Sequence, residues 1–516
     1  MNLSKSRYTA YCQCPKNLWL GVYRPEEKDE VDPAAQARFE KGSEVGDIAK
    51  QLFPGTVDVT VRNGDALDLA AMIEKTRQLM ASPQSPLVIA EAAFSYEGCY
   101  CAVDLLRREG GGWAIYEVKS TSTKDENGDK AKMEKYLPDI AYQTWVLRQC
   151  GINVTGINLV CLNHNYWRHG DLDLQQLFAI IDMREAVENE LLKVPIQVPA
   201  ALRMLEQKQE PNIDLSERCN KPYRCAFWGY CKRLHNVPEH SVFDVYGGTP
   251  NSKGDDRFFI DRKLAHYRAG RVSYDDLVDQ PLGHIQRLQV ERKPYIDREG
   301  IRSFLDRLTY PLYFLDFETM QDVVPQYDNS RPYLQITFQY SLHVVKDPDT
   351  ICDKQGYGYL APSDGSDPRR ALAEDLCKHI PRGVCTLAYN MDFEKSRIAE
   401  LSKVYPDLHD HLMDIHDHII DLIDPFRAGH YYLPAMGGSF SIKKVLPALF
   451  PGDPELDYHN LPGNVKNGGE AMTIFPLIKD MPPAEAAEAR RSLLEYCNLD
   501  TWAMVKIWQK LKEVIK

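Results

Sequence analysis

Two apolar runs in this chain each end on a pair of charged residues spaced two apart, and this pattern narrows the choice of fold. Residues 113–120 read WAIYEVKS and residues 311–319 read PLYFLDFET. Apolar runs of this length between turn signals read as strands, and strands interleaved with helical patterns give an α/β fold. Positions i and i+2 of a strand share a face, so Glu117 stands beside Lys119, and Asp316 beside Glu318. Charge at the end of an apolar strand costs free energy unless it does something.

Size and charge bound the rest. The 516 residues suggest two to four domains. Lys and Arg number 62 against 74 Asp and Glu, a net charge of −12 that argues against a wholesale nucleic-acid coat but not against a local basic groove. At 44% hydrophobic and 26% charged, the composition is ordinary for a globular protein. No apolar run reaches the roughly 18 residues of a membrane span. The opening MNLSKSRYTAYCQCPK lacks the apolar stretch of a secretory signal. With 13 cysteines, these features predict a cytoplasmic enzyme with mostly reduced thiols and a possible metal or cluster site.

Along the chain, Asp32-Pro33 starts a helix, a second helix lies near 65–81, and LVIAEAAF, CYCAVDLL and WAIYEVKS are strands. MEKYLPDIAYQTWVLRQC is an amphipathic helix ended by Gly151, followed by strand INLVCL and a long helix over 183–208. The predicted domains are 1–235 and 301–516, joined by a polar, Gly-rich connector at 236–300. The second domain reads as helix, three strands, helix, strand, helix, and two closing helices over 483–513.

Asp104 lies on one strand of a predicted hairpin, with Glu117 and Lys119 on the next. Two carboxylates hold a hard divalent cation, and a neighbouring Lys orients water or offsets phosphate charge; a solvated Glu–Lys pair on an edge strand is the competing account. The order Asp104, hairpin, Glu117-Val118-Lys119, then a helix carrying Gln143 resembles the RecB-like branch of the PD-(D/E)XK nuclease superfamily. The resemblance implies a restriction-endonuclease-like fold, Asp104 and Glu117 as Mg²⁺ or Mn²⁺ ligands, Lys119 as catalytic and Gln143 as auxiliary. Gly46 stands where that branch carries a metal-binding His, which leaves Glu44 or Glu91 to compensate, or a weaker site. Leu147 stands where the branch has Tyr.

Cys14, in CPKNLWL, and the spaced trio Cys219, Cys225 and Cys231 resemble the iron–sulfur clasp of RecB-like nucleases, which implies a 4Fe–4S cluster on these four residues. Four thiolates suit a cluster or Zn²⁺, but structural zinc sites favour close cysteine pairs that these gaps do not supply. Buried free thiols are the remaining account, and Cys12 is the rival of Cys14. A link of this kind closes a loop of about 200 residues. The other cysteines, Cys497 among them, read as plain thiols.

In the second domain, Asp316-x-Glu318 is followed by Asn390-Met391-Asp392-Phe393-Glu394 and by Tyr496-x-x-x-Asp500, the last two on one helix face. Acidic residues at strand ends commonly just face solvent, but a converging set would need cations, and two about 4 Å apart would clamp a phosphodiester. The ordered trio resembles the DnaQ-like 3′–5′ exonucleases of the RNase H fold, in their tyrosine-containing subgroup. It implies Asp316, Glu318, Glu394 and Asp500 as metal ligands and Tyr496 as the residue that orients water. Glu394 stands where the family has Asp, and Asp392 or Asp421 is available to share its role.

Arg218, Lys221, Arg224, Lys232 and Arg233 interleave with Tyr223, Phe227, Trp228 and Tyr230, which mixes phosphate-binding charge with stacking surface. Tyr431, Tyr432, Lys443 and Lys444 read as exposed residues of the second groove. The whole chain thus resembles a fusion of two nuclease domains, with DNA favoured over RNA as partner. A nucleic-acid-binding scaffold with a single active centre and an RNA-directed nuclease are the alternatives.

Overall fold

The computed structural model describes residues 2–30, 42–82, 84–124 and 130–516, so the helix start expected at Asp32-Pro33 lies outside the described residues. The structure is mixed α/β and divides into two compact units: Met1–Val237 with Asp322–Tyr333, and Pro238–Gln321 with Leu334–Lys516. Among the described residues no helix is long and apolar enough to cross a membrane.

In the first unit, helices α1 (Lys5–Gln13) and α2 (Pro15–Tyr23) break at Cys14, whose extended backbone caps both. Pro15 opens the second helix, where its missing N–H costs nothing. Strands β1 (Val88–Tyr96), β2 (Cys99–Glu109) and β3 (Gly112–Thr123) form an antiparallel meander. The β2–β3 turn passes through Gly110 and Gly111 at φ of 61° and 76°, a left-handed path that a side chain would strain. Helix α3 (Leu137–Gln149) then leads to β4 (Val154–Asn163), parallel to β3, and to β5 (Phe178–Asp182). With Leu3–Ser4 on β2 and Val57–Asp58 on β1 the sheet has seven strands. Ile140, Ala141, Tyr142, Val146 and Leu147 of α3 are buried in the same core as Val103, Leu106, Ile115 and Leu159 of the sheet.

The helix expected over 183–208 is two helices, Arg184–Leu191 and Val194–Glu206. Pro195 explains the break, since its ring clashes with the carbonyl four residues back.

The stretch expected as a connector is folded. It carries helix α4 (Ile260–Arg268) and a further helix His284–Glu291, buries Phe258, Leu264, Leu277, Leu288 and Val290, and groups with the second unit from Pro238 onward. Conversely, Asp322–Tyr333 groups with the first unit, where Val323 and Val324 join a buried cluster and Tyr333 donates its hydroxyl to the Ser120 carbonyl.

The second unit holds a five-stranded sheet: β6 (Leu312–Gln321), β7 (Gln335–Val345), β8 (Tyr357–Leu360), β9 (Cys385–Ala388) and β10 (Ile419–Asp421). The order is β8-β7-β6-β9-β10, with β7 antiparallel to both neighbours and β6, β9 and β10 mutually parallel. Helix α5 (Asp392–Val404) follows β9. The two closing helices expected over 483–513 are one, α6 (Pro483–Val514), of 32 residues. No Gly or Pro interrupts it after Pro483, and its apolar side chains recur at helical spacing.

Candidate functional site

Three clusters form where the sequence motifs converge. In the first unit the β2–β3 ladder ends at Leu105 opposite Tyr116, which sets Asp104 against Glu117 at the point where the strands part. Asp104 Oδ2 accepts the Val118 amide at 2.7 Å and replaces the missing ladder partner. The pairing of β3 with β4 slips between Val118 and Ser122, a bulge that re-aims Lys119. Lys119 Nζ lies 2.6 Å from Glu117 Oε1 and 2.7 Å from Asp139 Oδ2. Gln143 Nε2 donates to Glu117 Oε2 at 2.8 Å and to Asp139 Oδ1 at 3.1 Å, while Gln143 Oε1 is buried without a partner.

Two members of this cluster were not singled out by sequence. Asp139 lies four residues before Gln143 on α3, a same-face spacing that could have revealed it. Lys5, the first residue of α1, sits 2.9 Å from Glu117 Oε1 and carries no motif.

Burial would push the Glu117 carboxyl up, but the Lys119 and Lys5 ammoniums hold it below its usual range. Asp104 goes the other way, to about 7, through burial and the negative charge of Glu117. Glu91 has φ of 57° and falls opposite Asp104 in the β1–β2 pairing, and the two line one cleft of about 490 Å³ with Gly42, Gly46 and Lys50. Glu44 is exposed on its helix and does not line this cleft, whereas Glu91 does, as does Asp47.

In the second cluster Cys14, Cys219, Cys225 and Cys231 line one narrow pocket with Lys16, Leu20, Ile213, Leu215, Phe227 and Trp228. All four thiols are free. Gln13 ties the two chain segments together by donating to the carbonyls of Arg218, Lys221 and Tyr223 at 3.2, 3.3 and 2.8 Å. Burial pushes the Cys225 thiol up to about 11 and the Cys231 thiol to about 12. Cys12 lies instead near Gln197 Oε1, at 3.7 Å. Four soft donors on a largely apolar wall suit a thiophilic metal centre.

Of the aromatics interleaved with charge, Phe227, Trp228 and Tyr230 are buried as packing around this pocket. Tyr223 is 63% exposed, beside exposed Arg218, Lys221 and Arg224.

The third cluster is acidic. Asp316 and Glu318 come from β6, whose pairing with β7 shifts immediately after Glu318; Glu394 comes from the first turn of α5, and Tyr496 and Asp500 from one face of α6. Glu318, Glu394 and Asp500 are each at most 7% exposed. Burial first, then the negative charges of Asp500, Glu318 and Glu394, push Asp316 well above the carboxylate range. Glu318 rises likewise, and burial lifts Glu394 to about 8 and Asp500 to about 6. Tyr458 donates to Asp500 Oδ1 at 2.6 Å, and the Lys443 charge also favours ionised Asp500. Glu394 Oε2 is buried with no hydrogen-bond partner among the described residues. Repelling, partly orphaned carboxylates of this kind fit hard divalent cations.

Tyr458 was not legible as a member of this set. Cys497, read as a plain thiol, lies 3.9 Å from Asp316 Oδ2, and its sulfur groups with oxygens of Asp316 and Glu318 within 4.8 Å. Among the rivals of Glu394, Asp392 is exposed, and Asp421 takes the Asn390 and Ile423 amides at 2.8 and 3.2 Å. Tyr431 and Tyr432, expected to be exposed, are 4% and 1% exposed, because their short strand pairs with Tyr295–Ile296; Lys443 and Lys444 are exposed.

A family model described as a domain of unknown function, DUF2779, matches residues 313–441. That span contains Asp316, Glu318 and Glu394 and ends before Tyr496 and Asp500. No curated protein matches the chain.

Proposed function

We propose that this protein is a metal-dependent nuclease with two phosphodiester-cleaving centres, acting on DNA. One observation carries the reading: four carboxylates from a strand and two helices, Asp316, Glu318, Glu394 and Asp500, converge over β6, the central strand of a mixed sheet, with Tyr496 beside them. Divalent cations bound there would offset that charge and polarise a phosphodiester. Tyr458 keeps Asp500 poised as an acceptor, and Tyr496 supplies a buried hydroxyl to orient water. The order of the acidic motifs, carried by a mixed sheet and two helices, supports a DnaQ-like exonuclease reading.

The first centre supports a RecB-like reading in the same way. Asp104, Glu117 and Glu91 offer oxygen donors beside Lys119, and Gln143 and Asp139 hold Lys119 and Glu117 in place. The four-cysteine pocket would hold a 4Fe–4S cluster that fastens α1 and α2 to the end of the unit. Mn²⁺-dependent cleavage of labelled single- and double-stranded DNA and RNA, with EDTA as control, tests the proposal. Cleavage of DNA that EDTA abolishes is expected. Preference for RNA would reassign the substrate, and binding without cleavage would leave a nucleic-acid scaffold.

A further inference from the structure

The first centre contains a second ammonium, and its placement is specific. Lys5 Nζ lies 2.9 Å from Glu117 Oε1, 3.8 Å from Asp104 Oδ1 and 3.8 Å from Asp139 Oδ1. Asp104 Oδ2 is taken by the Val118 amide, and Glu117 Oε2 by Gln143. The two remaining oxygens, Asp104 Oδ1 and Glu117 Oε1, both flank Lys5, and Glu117 Oε1 also accepts from Lys119 Nζ at 2.6 Å.

A hard divalent ion bridging these carboxylates needs the same two oxygens at little more than 2 Å. An ammonium and a divalent ion cannot share that gap, because like charges a few ångströms apart at a buried site repel by several kcal/mol at an effective dielectric of about 20.

The two lysines differ in how they are held. Lys119 stands on a strand, bridges Glu117 and Asp139, and has the Tyr136 ring 5.7 Å away. Lys5 begins a helix and makes one close contact, to Glu117 Oε1, with its other carboxylate distances at 3.8 Å, so its long side chain is held by fewer bonds than that of Lys119 although the two are similarly exposed, at 26% and 23%. Asp47, Lys50, Arg62 and Glu91 are the other charged groups on the adjoining cleft.

We propose that Lys5 is a tethered cation occupying the metal position of the first centre, and that divalent ions load this centre only by displacing it. The proposal rests on the nuclease reading to the extent that this centre takes a divalent ion. It makes Lys5 a positioning residue that sets a metal threshold, and it predicts that the first centre fills at higher metal concentration than its oxygen donors alone would require.

The test uses the full chain with Asp316→Ala and Asp500→Ala, which disables the acidic centre of the second unit. Mn²⁺ binding is titrated by calorimetry and electron paramagnetic resonance for Lys5, Lys5→Met and Lys5→Arg. Lys5→Met is expected to tighten Mn²⁺ binding at least tenfold and Lys5→Arg to leave it near the Lys5 value. In the otherwise native chain, acylation of Lys5 followed by mass spectrometry should increase when Mg²⁺ is added, whatever the stability of the variants. Equal Mn²⁺ affinity in Lys5→Met with cleavage intact, or Lys5 labelling unmoved by saturating Mg²⁺, would overturn the displacement and leave the nuclease reading standing. Failure of both Lys5 and Lys5→Met to bind Mn²⁺ would overturn the displacement and the metal reading of the first centre, leaving only the acidic centre of the second unit.

Discussion

Tyr458 donates its hydroxyl to the Asp500 carboxylate at 2.6 Å, across 42 residues of sequence and inside a wholly buried contact. Tyr458→Phe removes a hydrogen bond to a group that must ionise to bind metal. A loss of about 1.5–3 kcal/mol is expected for a bond to a charged partner. Asp500 should then ionise at higher pH and Mn²⁺ binding at neutral pH should weaken, as calorimetry would show. Unchanged metal affinity in a folded variant would mean that the tyrosine only packs.

The acidic cluster also sets a pH dependence of stability with a definite sign. Asp500 and Glu394 titrate near 6 and 8 when folded, above their ordinary values near 4, so the folded state holds more protons than the unfolded chain between these limits. Their contribution is fully present below about pH 4 and is lost as pH rises through 6 to 8. In EDTA, the melting temperature of the second unit should carry this downward trend, and Mn²⁺ should restore most of the loss at pH 8. A cluster contribution that is flat from pH 5 to 8 in EDTA contradicts the assignment.

Anaerobically prepared protein should be brown, with broad absorption near 400 nm from the cysteine pocket. Cys225→Ser or Cys231→Ser should bleach it and destabilise the first unit, whereas Cys12→Ser should keep the colour because Cys12 faces Gln197. Colourless protein carrying one equivalent of zinc would point to a different metal.

The two acidic centres share no ligand, so their products should separate. Asp316→Ala should remove stepwise 3′–5′ trimming and spare the other activity, and Asp104→Ala should do the reverse. Adding Lys119→Ala to Asp316→Ala should lower the residual cleavage by roughly 10²-fold or more, the usual worth of a positioned proton-transfer or electrostatic group. A gel in which one single-centre variant abolishes every product while remaining folded would show that only one centre is catalytic.

Local sequence determined the elements and the chemistry it placed on their ends. Period-two geometry put Glu117 beside Lys119 and Asp316 beside Glu318 on their strands, and helical spacing put Tyr496 over Asp500. Gly110-Gly111 fixed the hairpin and with it the pairing of Asp104 against Glu117. These relations span a few residues and follow from backbone geometry, so a reader of the sequence can reach them.

Lys5, Tyr458 and Cys497 entered their centres only through tertiary structure, whereas Asp139, four residues before Gln143, lay within reach of helical spacing. Lys5 reaches Glu117 across 112 residues, and Cys497 reaches Asp316 across 181. Contacts at such separations depend on how whole elements pack, and packing is set by summed burial over the core, which no local spacing encodes. The same holds for residues 236–300, whose polar opening read as a connector although Phe258, Leu264 and Leu288 are buried within the second unit. Sequence supplied the donors element by element; the packing of helices against those sheets decided which of them meet.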